Sequence, residues 1–485
     1  MYAMAKRLIT EKDIRRKITI LEKLINHQQL TAKELAEELQ VSERTVFNDL
    51  QSLRMELPEG WQLEADGNSG LSLVSDNLGT VNEVWEFFMK DSIGILIVKE
   101  LLTVKEVPVQ SFLNDKGLSY ETLKRQVGKL NKALKSIHLQ INLSQSAFEW
   151  VGEESSIRVF YHRLLVPFTH DSFFFEDYSI HEKHYIDFLA KLDKTMLGIS
   201  TEQIFGTCWF FINTIRIKAG CLIEEFRFNT DDILFTLYKE KLEHLYQLEG
   251  IRLKGKEQEH FYAFFCFLES WNYNALTDQM RETLKEAYES LFIGCEQFIQ
   301  RFSSAFQQNK LSDSSLLDNL VLFLLKYYES KRLSDKFLLE YQEILLLSQE
   351  RFPALYQAVY DEMKKQGLLE RLPHSDYVVS VATLLVQEAI FSVAPRRITA
   401  YFIFQGEPAW KSFLLQELQD MIGSRVHVEA LNTDELDVSQ MKPADIILSN
   451  QPLKQNYSQQ VIYISSVPTQ NELQTIREAV QYLYL

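Results

Sequence analysis

Residues Thr31-Ala-Lys-Glu-Leu-Ala-Glu-Glu-Leu-Gln-Val-Ser-Glu-Arg-Thr-Val46 decide how the chain begins. Thr31 and Glu34 have the spacing of a capping box, in which hydroxyl and carboxylate satisfy orphan backbone N–H groups at a helix start. Leu35, Ala36 and Leu39 give that helix its apolar face. Only Gln40 and Val41 separate it from Ser42, a second N-cap, after which Val46, Leu50 and Leu53 mark a further helix ending near Pro58. Ahead of them Ile14, Ile18, Leu21 and the Leu24/Ile25 pair follow helical spacing behind Thr10, a suitable N-cap. Helix, helix, tight turn, helix is the helix-turn-helix order. Beyond Gly60, Trp61-Gln-Leu-Glu-Ala65 and Leu71-Ser-Leu-Val74 flank Asp66-Gly-Asn-Ser-Gly70, which predicts a β-hairpin, the wing of such a unit.

The same design recurs 77 residues later. Leu118-Ser-Tyr-Glu-Thr-Leu-Lys-Arg-Gln-Val-Gly-Lys-Leu130 matches residues 41–53 position by position in its Ser cap, its Thr three residues on and its apolar trio. Phe112 and Leu113 stand where Leu35 and Ala36 stood, and residues 137–141 and 147–151 are expected as wing strands. Two tandem winged helices are predicted, over residues 1–78 and 79–152, with 81–102 as a helical linker.

Residues 153–394 are apolar-periodic and nearly free of Pro and Gly, which predicts two helical bundles, 153–275 and 276–394. From 395 to 485 short strands at 395–404, 426–430, 445–448 and 461–465 alternate with helices at 409–422 and 471–484, the pattern of a small α/β unit with a mainly parallel sheet. The fold class is thus mainly α and multidomain. Length agrees, since 485 residues exceed what one core organises.

Composition narrows the function. The chain carries 51 Lys/Arg against 67 Asp/Glu, net −16, which excludes a protein that coats nucleic acid along its length. The deficit is uneven. Residues 1–135 are near neutral at −1, and 116–135 carry Lys116, Lys124, Arg125, Lys129, Lys132 and Lys135 against Glu121 alone. Four scattered cysteines without a C-x-x-C pair exclude a disulfide or zinc scaffold, and no 18-residue apolar run occurs, so a cytoplasmic, non-membrane protein without a cofactor is expected. Nucleotide-loop, zincin and serine-hydrolase motifs are absent, and no enzyme activity is expected.

In a helix-turn-helix the second helix enters the major groove with its N-terminal side chains toward base edges. For the first copy these are Ser42, Glu43, Arg44, Thr45 and Asn48, with Arg54 further along; Arg44 suits guanine and Asn48 adenine. Ser119, Tyr120, Thr122, Lys124, Arg125 and Lys129 are the second set. Lys6, Arg7, Lys12, Arg15, Arg16 and Lys17 would give the first copy its phosphate contacts, a solvated basic face being the alternative. Trihelical units of this type also serve as protein-contact modules. His181 and His184 stand at i, i+3, a spacing that can hold a metal, but no third ligand is suggested between the charged neighbours Glu182 and Lys183, and no metal is expected.

The doubled helix-turn-helix with its T-x-x-E-L-A-x-x-L-x-V-S-x-R-T-V motif, two bundles and terminal α/β unit resembles the Mga/AtxA-like family of virulence regulators over essentially the whole chain. The resemblance implies a DNA-binding transcription regulator whose bundles are phosphotransferase-system regulation domains (PRD-like) and whose last domain is like the B component of a sugar permease (EIIB-like). It implies promoter DNA, phosphotransferase phosphocarriers and a second copy of the chain, as a homodimer, for partners. It makes His162, His170, His181, His184 and His374 candidates for regulatory phosphorylation. Two departures stand out. Arg216-Ile-Lys-Ala-Gly220 is followed by Cys221 where the family stretch leads one to expect His, and the loop Gln405-Gly-Glu-Pro408 lacks the nucleophilic Cys of an active permease component. The rival readings are a phosphotransferase-system phosphoacceptor component and an RNA-binding antiterminator built on similar regulation domains.

Overall fold

The structure is a computed structural model; it describes the chain except residues 1–2, 27–29, 67–69, 76–80, 167–173, 176–179, 194–200, 227–231, 274–275, 307–310, 335–341, 371–374, 394–397, 423–425, 432–444, 454–456 and 484–485. His170 and His374 lie outside the described residues. The chain is mainly helical and forms two compact units, one built on Met1–Ser290 with Val321–Glu343, the other on Leu291–Leu320, Ile344–Glu370 and Ser375–Leu485.

The first unit opens with a short helix, Ala3–Leu8, and then the first winged helix: helices Lys12–Asn26, Ala32–Leu39 and Glu43–Glu56, and the antiparallel hairpin Trp61–Asp66/Gly70–Ser75. The capping box at Thr31 and Glu34 is present, as is the Ser42 cap, while Leu35, Val46, Leu50 and Leu53 are buried. Thr10 does not cap its helix. It is buried, and the helix starts at Lys12 with the Glu11 carbonyl accepting the first bond, from Arg15 N. The wing is fastened by paired backbone bonds between Leu30 and Leu71. Gly70 is needed there, because its φ is +107° and a Cβ would stand 3.1 Å from the Leu30 carbonyl oxygen.

Residues 81–102 are not a linker. They form helices Val81–Met89 and Ile93–Thr103, and the second buries Ile95, Ile97, Val98, Leu101 and Leu102. Its apolar surface is covered by Ala3–Leu8, by Tyr120–Leu134 and by a helix of the following bundle, which makes it the first helix of the second winged domain. Helices Val109–Lys116 and Tyr120–Leu134 complete that domain's trihelical part. Its sheet has three strands in the order Glu106–Pro108, Ala147–Val151, Gln140–Leu143, all antiparallel. The strand expected from 137 begins later because Lys135–Ile137 form a 3-10 turn and His138 has φ +57°.

Helices Glu154–Leu165, Glu182–Asp193, Gln203–Lys218, Ile233–Leu248 and Glu257–Glu269 form the first bundle, with Trp209, Tyr161, Tyr262, Phe160 and Phe264 at its centre. Further helices run over Asp278–Ala287, Glu289–Phe306, Leu316–Ser334, Gln342–Arg351, Pro353–Lys365 and Ser375–Val393. In the second unit the terminal α/β part has four parallel strands, ordered Val426–Ala430, Ile398–Ile403, Ile446–Ser449, Gln460–Tyr463, with helices Pro408–Ile422 and Gln470–Leu483. Ala400, Phe402, Leu414, Leu418, Leu448 and Ile476 form its core. Among the described residues no helix is long and apolar enough to cross a membrane.

Candidate nucleic-acid interface

The first recognition helix, Glu43–Glu56, presents Glu43, Arg44, Phe47 and Asn48 to solvent, with Arg54 exposed in its last turn. Ser42 and Thr45 hold each other: the Ser42 hydroxyl accepts from Thr45 N at 3.2 Å and lies 2.8 Å from the Thr45 hydroxyl. Phe47 was not among the expected contacts, yet it is 57% exposed. Its signal was an aromatic residue off the Val46/Leu50/Leu53 stripe, and it suits a thymine methyl. Asp49 turns inward, 6% exposed, and is clamped by the Arg16 guanidinium, whose Nη2 donates to Oδ1 at 2.9 Å. The basic run ahead of this helix is largely used inside the fold. Lys6 pairs with Glu22, Arg15 donates to the Ile9 carbonyl and Lys17 pairs with Glu56 at 2.6 Å, while Arg7 and Lys12 stay exposed.

The second recognition helix, Tyr120–Leu134, repeats the cap, with Ser119 Oγ accepting from Thr122 N at 3.2 Å. Lys124 and Arg125 are exposed, as are Lys132 and Lys135. Two other expected contacts have partners within the fold. Tyr120 donates its hydroxyl to the Ser144 carbonyl in the wing turn at 3.4 Å, and Lys129 Nζ donates to the Thr10 carbonyl at 2.9 Å. Lys116 pairs with Glu100 at 3.3 Å. Gln126, the counterpart of Asp49, is buried and donates to Glu11 Oε1 at 3.1 Å. Glu11 also accepts from Ser92 Oγ at 2.7 Å and from Ile93 N at 3.1 Å, so one carboxylate binds the recognition helix and the first helix of its domain together. The Asn131 amide brackets Ile141, donating to its carbonyl at 2.9 Å and accepting from its N–H at 2.7 Å, which fixes the wing.

Two buried ion pairs of the bundle stand beside its junction with the second winged domain. Arg158 grips Glu259 through two bonds of 2.7 and 2.8 Å, and Arg216 grips Glu154 through two of 2.8 and 2.7 Å. Arg216 also donates to the carbonyls of Leu101 and Leu102, the end of the helix that opens the second winged domain. Fork-on-carboxylate pairs of this type hold orientation as well as charge. Beside them Arg216, Cys221, Glu149 and Lys105 help line a cavity of about 820 Å³ between the second wing and the bundle.

Three expected histidines are described. His162 is fully buried, stacked on Trp209 at 3.9 Å, with Nε2 3.0 Å from the Phe205 carbonyl and Nδ1 2.8 Å from Arg163. Burial holds its imidazole well below the ordinary value, and the neighbouring Arg163 charge adds to this, so it is a neutral core side chain. His181 and His184 are different. The structure brings them to Glu249, which the sequence did not suggest: each Nδ1 lies within 3.2 Å of Oε1, and the three donor atoms could hold a metal ion. In the terminal α/β part the loop after the first strand is closed by Gln405 and Asn450, whose amide accepts from Gln405 N at 2.9 Å and donates to its carbonyl at 2.8 Å. All four cysteines of the chain are buried elsewhere.

Comparison with known proteins agrees with this geometry. Residues 79–165 match the Mga helix-turn-helix domain family and residues 16–72 an HTH domain family, so the match includes the helices at 81–103. Residues 287–392 match a non-canonical single-stranded DNA-binding domain. The fold carries two tandem helix-turn-helix domains, the second matching the Mga type, and along nearly its whole length the chain is similar to positive regulators of gene expression. Over 97% of its length, and 98% of the relative's, the chain is 24% identical to the anthrax toxin expression trans-acting positive regulator of Bacillus anthracis. It is 20% identical to the capsule synthesis positive regulator AcpB of the same organism, over 96% of its own length and 98% of that protein's.

Proposed function

We propose that the chain is a cytoplasmic homodimeric regulator that sets both winged helices on promoter DNA, with output tuned by carbohydrate phosphotransferase signalling. The observation that carries this is the duplicated reader: two recognition helices with the same Ser cap, presenting Arg44 and Asn48 from one and Lys124 and Arg125 from the other. In this reading the first helix makes base contacts and the second anchors the phosphates. Symmetric pairing doubles both sets, the common solution for such readers. The five-part division, with PRD-like bundles at 153–275 and 276–394 and an EIIB-like terminal unit at 395–485, belongs to the same reading. Phosphate input enters at His181 and His184, the described histidine candidates that reach solvent, and a phosphate of nearly two negative charges there would oppose Glu249. The terminal unit serves association, since its first loop offers no thiolate and is closed by Asn450.

A gel-shift titration at several salt concentrations tests the reader. Arg44→Ala is expected to weaken binding by about 1–3 kcal/mol and relax sequence preference; Lys124→Ala is expected to weaken all duplexes alike and lower the salt slope by about 1. Unchanged affinity and slope in both variants would remove the proposal.

The match at 287–392 favours a second reading, a single-strand contact in that region. Its 10 Lys/Arg against 14 Asp/Glu make it net negative, the opposite of an electrostatic funnel for a single strand. Competition by single-stranded DNA at concentrations where duplex does not compete would reverse the ranking.

A further inference from the structure

The cluster at His181, His184 and Glu249 gathers three nitrogens around one carboxylate oxygen. Glu249 Oε1 lies 3.2 Å from His181 Nδ1, 2.9 Å from His184 Nδ1 and 3.1 Å from the His181 backbone N–H. A carboxylate oxygen has two lone-pair directions, so three nitrogens crowd it. The carboxylate is also hard to explain as an ordinary surface acid, because its side chain is 2% exposed. Donors from the His181 backbone and Lys218 converge on this enclosed carboxylate, beside the His184 ring nitrogen. Lys218 Nζ, 3.3 Å away, takes the other oxygen, Oε2.

A cation in place of the two ring protons satisfies all of these groups. With metal–ligand bonds of about 2.0–2.2 Å, ligand atoms on one ion stand about 3 Å apart, the spacing found between Oε1 and each Nδ1. The three candidate ligand atoms lie within 4.8 Å of one another. Two imidazoles and one carboxylate suit zinc, cobalt or nickel, whereas calcium and magnesium take oxygen donors. His181 is 61% exposed, which leaves solvent on one side to complete the coordination shell. Lys218 on the second oxygen keeps Glu249 ionised and monodentate, the outer-shell role seen at such centres.

We propose that His181, His184 and Glu249 form a binding site for one divalent transition cation of the zinc class, tying the start of helix Glu182–Asp193 to the end of helix Ile233–Leu248. The site stands independently of the transcriptional reading. A metal-bound imidazole would also be a poorer phosphate acceptor, so cation and phosphotransferase input would oppose each other at these residues.

The test is a Co²⁺ titration of the untagged, chelator-stripped full chain, read by visible absorption and by metal-to-protein ratio, with Zn²⁺ displacing the signal. One equivalent is expected. His181→Ala and His184→Ala should each cost at least tenfold in affinity, and Lys218→Ala about tenfold, as for an outer-shell partner. His427→Ala, an exposed histidine on a strand of the terminal sheet, should change nothing. Glu249→Gln should also abolish binding; because it can loosen the helix start, the exposed His181 variant decides if that chain is unstable. No stoichiometric Co²⁺ signal, or a full equivalent retained in both histidine variants, would overturn the proposal.

Discussion

The two winged helices share a frame and differ in what they show to solvent. Ser42 and Ser119 cap their recognition helices through the same bonds, at the same distances. Five and six residues beyond the cap, however, the first copy exposes Phe47 and Asn48 and the second Lys124 and Arg125. The inward position that follows also differs: Asp49 clamped by Arg16 in one, Gln126 held by Glu11 in the other. A repeated fold thus keeps its caps and core while its outward pair changes from an aromatic ring and an amide to two cations.

The largest effect that can break this comparison concerns seating. Arg16→Ala leaves Asp49 buried without its cation and is expected to cost about 3 kcal/mol in urea unfolding of the full chain, since removing one partner strands the other. Gln126→Ala removes a neutral group and should cost about 1 kcal/mol. Equal losses would mean that the two seats are equivalent after all. Smaller and symmetric, Ser42→Ala and Ser119→Ala should each cost about 1 kcal/mol; a loss in one alone would mark the other cap as dispensable. Smallest is the turn. Gln40, φ +53°, and Gly117, φ +62°, hold the same left-handed position. Gln40→Gly should therefore stabilise by about 0.5 kcal/mol, and Gly117→Ala should cost about as much, for conformational reasons alone because nothing lies within 4 Å of the added Cβ.

What the sequence disclosed follows from range. Capping box, apolar stripes, the parallel strands of the terminal unit and the caps of both recognition helices depend on residues a few positions apart and are readable, as Thr31 with Glu34, Ser42 with Thr45 and the strand at Ile446–Ser449 show, whereas Thr10 reads as a cap and is not one. The groups that were missed find their partners far along the chain. Glu11 meets Gln126, Arg16 meets Asp49, and Glu249 meets histidines more than sixty residues before it. No periodicity announces such pairs: nothing in the sequence ties Lys129 to the Thr10 carbonyl, and Ile93–Thr103 reads as a linker until its packed neighbours are seen. Exposure is the other missing quantity: His162 and His181 look alike in a string of letters, yet one is stacked in a core and the other stands in solvent.

The Glu11 carboxylate has a topological meaning. It joins the chain just before the first winged helix to Ser92 and Ile93, just after it, while Ala3–Leu8 rests on the second domain's helices. The first reader is therefore an insertion, entered and left at one point, with the second domain closing around the break. Its N-terminal residues belong to a domain whose remainder is made some eighty residues later. The two winged domains are thus nested in sequence, joined through Glu11 at the stem and by the Lys6–Glu22 pair beside it.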